Sequence, residues 1–399
     1  MLTGGLANEE ASELSEIRPQ GMGGHFSNLP TIDLPVPDAA PRKRWTRGLA
    51  ESLCLRIGVV FNEDGTLDVA VPDPSHRLKA AFAHNTVYSS ASSLPAHSFV
   101  DLGVGVAIAC PELIFAEMAE TMDTPQLALL GYELCGSFAR DSRDPRNGDV
   151  AVKVSPVTSV GKIRRFIEEA KWLRASERAL YALEYVADNA WSPTESVLAV
   201  IASLPIGEFG YEMGRCLLNV RVEASETLSS VNDKVSRVPD ILFEGANVGF
   251  NYDGAIHLDL GSVVAAAVDA ERHPDEAYAQ MALADVIRGV RAKAVDDIRR
   301  NRELAAAGYV VFPVTKEDLY EEGGLDRVMA QAIEALEAFA GRDMSLQRRL
   351  MRSEFIRKRR QELVWSLLPG CREKILMARA DRARQSLQPP IVFKMMIGF

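Results

Sequence analysis

The sequence predicts a mixed αβ protein whose clearest core lies between about residues 190 and 325. Three observations carry this expectation. First, Ser192-Pro193-Thr194-Glu195 precedes Val197, Leu198, Ile201 and Leu204 at helical spacing, with Ser at the N-cap, Pro at N1 and Glu at N3. Second, residues 238–243 and 247–253 read as two strands. Only Glu244-Gly245-Ala246 separates them, so the pair should be antiparallel. Third, an alanine-rich stretch from 258 to about 293 reads as mostly helical after Pro274. A further helix covers Asp296 to Ala307, Gly308 is its C′ residue, Tyr309 to Val314 is a strand, and Lys316 to Leu319 starts another helix. The order helix, strand, strand, helix, strand, helix suits a two- or three-layer αβ core.

The rest of the chain divides around that core. Residues 1–45 carry many Gly, Pro, Asp and Glu with little periodicity and read as a loose tail. Residues 46–190 read as an N-terminal α+β domain. In it, β-rich runs between Leu53 and Val71 flank an Asn62-Glu63-Asp64-Gly65 hairpin turn, and a second β-rich stretch runs from Phe99 to Cys110. A helix begins at Pro111. Ile163, Phe166, Ile167, Ala170 and Leu173, then Leu180, Leu183 and Val186, give one helix or two. Residues 191–335 form the αβ domain, and 336–399 a basic helical extension.

At 399 residues the chain suits two or three domains, and 47% hydrophobic with 25% charged residues is ordinary for a globular protein. A net charge of −10 means that the average field does not steer the molecule toward nucleic acid. Any phosphate-binding surface must be a local patch. The five cysteines form no CxxC pair, and the histidines form no HExxH. That argues against a disulfide framework or a zinc site. No basic start precedes an apolar run, and no apolar run reaches membrane-spanning length. The expectation is a cytoplasmic protein without a targeting or membrane segment.

The chemistry-bearing residues gather on the two central strands. Hydrolysis of a phosphodiester with magnesium or manganese needs several hard oxygen ligands around one pocket, and a group that helps make hydroxide. Strand alternation puts Gly249, Asn251 and Asp253 on one face, with Phe250 and Tyr252 on the other. Asp240 and Leu242 share a face of the preceding strand. A register that matches the apolar faces brings Asp240 beside Asn251 and Asp253. His257 follows beyond Gly254, within range of a proton-transfer role. Each residue also has a plain structural reading: Asp253-Gly254 as a turn, Asp240 as a strand opener, His257 as a packed or solvent-facing ring, and Glu195 as the N3 member of a capping box. Asp297 and Arg300 lie on one helical face, where Arg300 can hold a phosphate or pair with Asp297.

These residues resemble the nuclease-like domains related to the very-short-patch repair endonucleases, within the restriction-endonuclease-like PD-(D/E)xK group. The matching positions are Glu195 in Ser192-Pro193-Thr194-Glu195, then Asp240, Asn251-Tyr252-Asp253-Gly254 and His257. They continue with Asp297, Arg300, Leu304, Gly308 and Tyr309, followed by Val314-Thr315 and Asp318-Leu319. The resemblance implies a restriction-endonuclease-like core. In it Glu195, Asp240 and Asp253 hold Mg2+ or Mn2+, with Asn251 and His257 completing the catalytic set. The stretches Leu94-Pro95-Ala96-His97-Ser98-Phe99, Cys110-Pro111-Glu112 and Gly131-Tyr132-Glu133-Leu134-Cys135-Gly136 are similar to the region that accompanies this domain in some bacterial proteins. Some of those are related to abortive-infection antitoxins, which implies a phage-defence or toxin–antitoxin setting. The motif departs at residue 251, where the expected strand carboxylate is Asn251, a neutral ligand without charge.

In the C-terminal extension, Arg357-Lys358-Arg359-Arg360 is the densest basic run. It is suited to phosphate contact or to docking on an acidic surface of the same chain. Three functions follow as expectations. One is a divalent-metal nuclease acting on DNA, with Arg300 and the basic run holding phosphates. The second is an inactive nuclease-fold domain that binds nucleic acid, a protein partner or its own copy. The third is an antitoxin-like regulator in which residues 85–185 carry the function.

Overall fold

The computed structural model describes residues 31–33, 46–57, 59, 61, 64–88, 94–102, 107–141, 144–224, 226–230, 234–253, 260–273 and 277–387. The loose tail falls almost wholly outside these residues. The chain is mixed αβ with several small sheets and divides into two compact units. One comprises residues 1–200 with 215–220, the other 201–214 with 221–399. The basic C-terminal segment thus belongs to the same unit as the central strands. No described helix is long and apolar enough to cross a membrane.

In the first unit, β1 (Thr31–Ile32) and, further along, β4 (Phe99–Asp101) and β5 (Ala107–Ala109) form an antiparallel sheet in the order β1-β4-β5. Helix α1 (Arg47–Ile57) precedes β2 (Leu67–Val71), which pairs in parallel with β3 (Ala83–Val87). The hairpin expected around Asp64-Gly65 is therefore corrected. Residues 53–57 are helical, and β2 finds its partner downstream. The reason is the spacing of Ala50, Leu53 and Cys54, all buried, which is a helical stripe within a locally β-rich composition. Helices α2 (Pro111–Met118) and α3 (Thr124–Leu134) follow, then the hairpin of β6 (Phe138–Arg140) and β7 (Val150–Val152). The periodic stretch after 160 forms two helices, α4 (Val160–Glu169) and α5 (Ser176–Leu183), separated at Ala175, whose φ of 63° ends helical geometry. Their buried stripe is Ile163, Phe166, Ile167, Ala179, Ala182 and Leu183. Helix α6 (Pro193–Ser203) starts where the Ser-Pro-Thr-Glu motif predicts, and strand β8 (Cys216–Leu218) closes the first unit's share of the chain.

After residues 201–214, the second unit continues with β9 (Val222–Glu223), short helix α7 (Glu226–Ser229) and β10 (Ser236–Arg237), which pairs with β9. Then come β11 (Ile241–Phe243) and β12 (Val248–Asp253), antiparallel as the short connection requires. Gly249 permits that pairing, because a Cβ there would lie 2.0 Å from the Ile241 carbonyl oxygen. The alanine-rich stretch forms α8 (Leu260–Arg272) and α9 (Ala277–Ala306). The second is one continuous 30-residue helix where the sequence suggested two. It ends at Gly308, φ 83°, and β13 (Val310–Thr315) then lies parallel to β12. Helix α10 (Lys316–Tyr320) begins with a Thr315–Asp318 capping box, and α11 (Gly324–Ala340) packs on β12 and β13. Helices α12 (Ser345–Leu350), α13 (Glu354–Leu367) and α14 (Arg372–Leu387) complete the unit.

The face of β11 and β12 that carries Leu242 and Gly249 is covered by α9. Leu304 packs with Leu242 and Val222, flanked by Tyr309 and Val311. Phe243 and Phe250, both fully buried, stack edge to face with centroids 5.5 Å apart.

Candidate functional site

The β11–β12 register pairs Ile241 with Phe250 and Leu242 with Gly249, which sets Asp240 opposite Asn251. Strand alternation had placed these two side by side, and they do interact. The Asp240 backbone amide donates to Asn251 Oδ1 at 3.2 Å, and the Tyr252 amide donates to Asp240 Oδ2 at 2.6 Å. Asn251 is 0% exposed. Its other end, Nδ2, donates to Asn301 Oδ1 of α9 at 3.4 Å. Asn251 thus ties the chain before β11 to α9, and both ends of its amide are engaged inside the protein. Asp253 ends β12 opposite Thr315, but its side chain and the whole of His257 lie outside the described residues.

Glu195 belongs to the first unit and is held there. Oε2 accepts from the Trp191 amide at 3.0 Å and from Asn219 Nδ2 at 3.1 Å. Oε1 accepts from the Ser192 hydroxyl at 3.1 Å, and the Glu195 amide donates to Ser192 Oγ at 3.2 Å. The cap is a variant of the expected box, since the carboxylate also reaches the amide one residue before Ser192. Burial pushes the Glu195 carboxyl above its ordinary range, against the pull of these donors. Asn189 and Asn219, both in left-handed backbone, complete the knot. Asn219 Nδ2 also donates to the Asn189 carbonyl, and Trp191 Nε1 donates to Asn189 Oδ1. Sequence reading missed these partners. The only hint was Asn at two positions that adopt positive φ.

Arg300 pairs with Asp297 at 3.3 Å, both about one-fifth exposed, and its Nε is buried without a hydrogen-bond partner. The next turn of α9 carries a stronger group. Arg237 of β10 grips Glu303 through Nε at 2.5 Å and NH2 at 3.1 Å, and Asp296 through NH1 at 2.9 Å. Lys234 joins at Asp296. Hydrogen bonds from Arg237 hold the Glu303 carboxyl below its usual range. This network fastens α9 beside β10.

Within the basic run of α13, Arg357 and Lys358 are exposed, Arg359 is half-buried and Arg360 is buried. Arg360 is 3% exposed. Its NH1 reaches Asp326 Oδ1 at 2.9 Å, its guanidinium lies 3.9 Å from the Tyr211 ring centroid, and it donates to the Phe209 and Gly210 carbonyls. Tyr211 Oη donates to the same Asp326 oxygen at 2.7 Å, and Arg357 Nε takes the other at 2.9 Å. Arg359 pairs with Glu362 and Lys358 with Glu354. Arg357 and Arg360 thus reach Asp326 of α11, while the ion pairs of Lys358 and Arg359 lie within α13 itself. Arg360 in particular has no surface to offer a phosphate.

Of the residues that the resemblance implies for a divalent cation, Glu195, Asp240 and Asn251 have described side chains, and each makes hydrogen bonds inside the protein. Asn251 has no charge, and both ends of its amide are engaged. One Asp240 oxygen is held by the Tyr252 amide, and Glu195 is engaged within its own unit. Among the described residues no three His, Cys, Asp or Glu side chains are grouped to hold a metal ion. No known protein family, curated protein or solved structure matches the chain.

Proposed function

We propose that the second unit is a nuclease-like αβ module that binds without cutting, and that its partner is a second copy of this chain. The observation that carries the first part is Asn251. A residue at the position where a catalytic carboxylate is expected is fully buried and spends its amide on Asp240 and Asn301. A carboxylate there would be an unneutralised buried charge beside Asp240. The test is incubation of the purified full chain with supercoiled plasmid and manganese, beside Asp240→Ala. The expected result is no nicking above that control and no manganese binding by calorimetry.

The partner follows from the α8–α9 hairpin. Val264 and Val268 on α8, and Tyr278, Met281, Ile287, Val295 and Ile298 on α9, are exposed. Exposed apolar side chains on one element suit an interaction surface, and a helical hairpin that pairs with its own copy makes a four-helix bundle. The α9 sequence is self-complementary. An antiparallel two-fold pairing centred on Arg288 sets Tyr278 opposite Ile298, Met281 opposite Val295 and Asp285 opposite Arg291. Asp285 already pairs with Arg288 at 3.0 Å, which offsets the like charge at the centre. Sedimentation of the full chain should give a dimer, and Met281→Glu with Val295→Glu should give a monomer that melts as the parent does. A monomeric parent across micromolar concentrations would remove self-association and leave another protein as the partner. Action by association also suits the defence or toxin–antitoxin setting that the sequence resemblance implies.

A further inference from the structure

The first unit contains a pocket of about 470 Å3 that the function proposed above does not use. Two of the stretches singled out in the sequence converge on it. Pro95, Ala96 and His97 form one side, and Cys110, Pro111 and Glu112 another. They come from the loop before β4 and from the junction of β5 with α2, so β4–β5 pairing brings them together. The floor is apolar, made by Val100, Ile108, Ile114, Leu134 and Phe166. Its size is that of a pocket for a small organic ligand.

The polar groups are few and mostly at the mouth. Lys162, Arg165 and Glu169 lie at i, i+3 and i+7 on α4, exposed, while Ile163 and Phe166 of the same helix face inward. Neither Lys162 nor Arg165 forms an ion pair with another described residue. Glu112 is committed, because its Oε1 accepts from the Thr158 hydroxyl. His97 is fixed in a left-handed backbone, φ 64°, with its amide on Asp33 Oδ1 at 2.8 Å and Nδ1 on the Thr31 carbonyl at 3.0 Å. That leaves Nε2 as the ring's remaining polar atom. Cys110 is 3% exposed, and burial, then Glu112, pushes its thiol up to about 12. It serves as a small apolar surface and not as a nucleophile.

We propose that this pocket binds a small amphiphilic organic anion, with its apolar body on the floor and its carboxylate or phosphate at Lys162 and Arg165. Glu169 and Glu112 are the opposing charges, and they make the discrimination testable. The probes are octanoate, octyl phosphate, 1-naphthoate, neutral octanamide and cationic octylamine, titrated calorimetrically into the full chain. At least one anion should bind saturably at one site, roughly tenfold or more tighter than octanamide or octylamine. Whether octanoate or octyl phosphate binds better distinguishes a carboxylate from a phosphate ligand. Lys162→Met and Arg165→Met should each weaken anion binding about threefold, the range of an exposed charge pair, and leave octanamide unchanged. Added salt should weaken the anions alone. Ile114→Trp should fill the floor and abolish binding. If that variant unfolds, the two methionine variants, both at exposed positions, still decide. Failure of all three anions to bind saturably below the millimolar range overturns the proposal. So does tighter binding of octylamine, or an anion affinity indifferent to both cation removals.

Discussion

Asn251→Asp changes one buried amide to a carboxylate of the same shape. Oδ1 still accepts from the Asp240 amide, now at 3.2 Å from a charged oxygen. The donor to Asn301 disappears, but Asn301 is partly exposed and can turn its own amide to donate, so that bond is recoverable. What cannot be recovered is the solvation of a charge at a site that is 0% exposed and faces Asp240. An uncompensated buried charge costs about 3–5 kcal/mol, and the recovered hydrogen bond returns about 1 of these. A net loss of about 3 kcal/mol should lower the melting transition of the second unit by about 6–12 °C at pH 8. The new carboxyl escapes the penalty by protonation, since burial and a like charge both raise its pKa. The loss should therefore shrink as the pH falls toward 5. Thermal melts of parent and variant across this range give the answer. A variant as stable as the parent at pH 8, or one that gains manganese-dependent cleavage, would refute the assignment of Asn251 to a structural role.

Other perturbations test the same packing. Asp326→Ala strands Arg360 in a buried site and should cost about 3–5 kcal/mol in denaturant unfolding, whereas Arg357→Ala, at a half-exposed member of the same network, should cost under about 1 kcal/mol. Burial, with Asp68 and Glu120 nearby, pushes the Glu117 carboxyl, which accepts from Tyr88 Oη, up to about 7. A raised folded-state pKa gives stability that is present below the ordinary value near 4.5 and lost as pH rises through 7. Glu117→Gln should thus match the parent near pH 4.5 and exceed it by an amount on the order of 3 kcal/mol at pH 8, as read from unfolding curves. Gly249→Ala places a Cβ against the Ile241 carbonyl and should break β11–β12 pairing, seen as lost amide protection in both strands.

The parts of this structure that were legible in the sequence are those governed by short-range rules. Ser192 and Glu195 announce a helix start because the cap is made by residues three apart, and alternation across a three-residue connection set Asp240 beside Asn251. Local rules failed where distance decides. Leu53 to Leu55 looks β-rich, but the segment buries a helical stripe. Helix α9 runs through Asp296-Asp297, where Asp296 is held by Arg237, 59 residues earlier in the chain. The run Arg357 to Arg360 resembles a phosphate site until Asp326 and Tyr211 are seen beneath it. A pattern of charges does not reveal which charges are already answered.

We propose that the Asp240–Asn251 end of the sheet holds the fold and carries no phosphodiester chemistry. The most direct measurement is the rate of plasmid nicking by the purified full chain in saturating manganese, with Asp240→Ala assayed alongside. Equal, background rates are predicted. Manganese-dependent nicking that vanishes in Asp240→Ala would contradict the account.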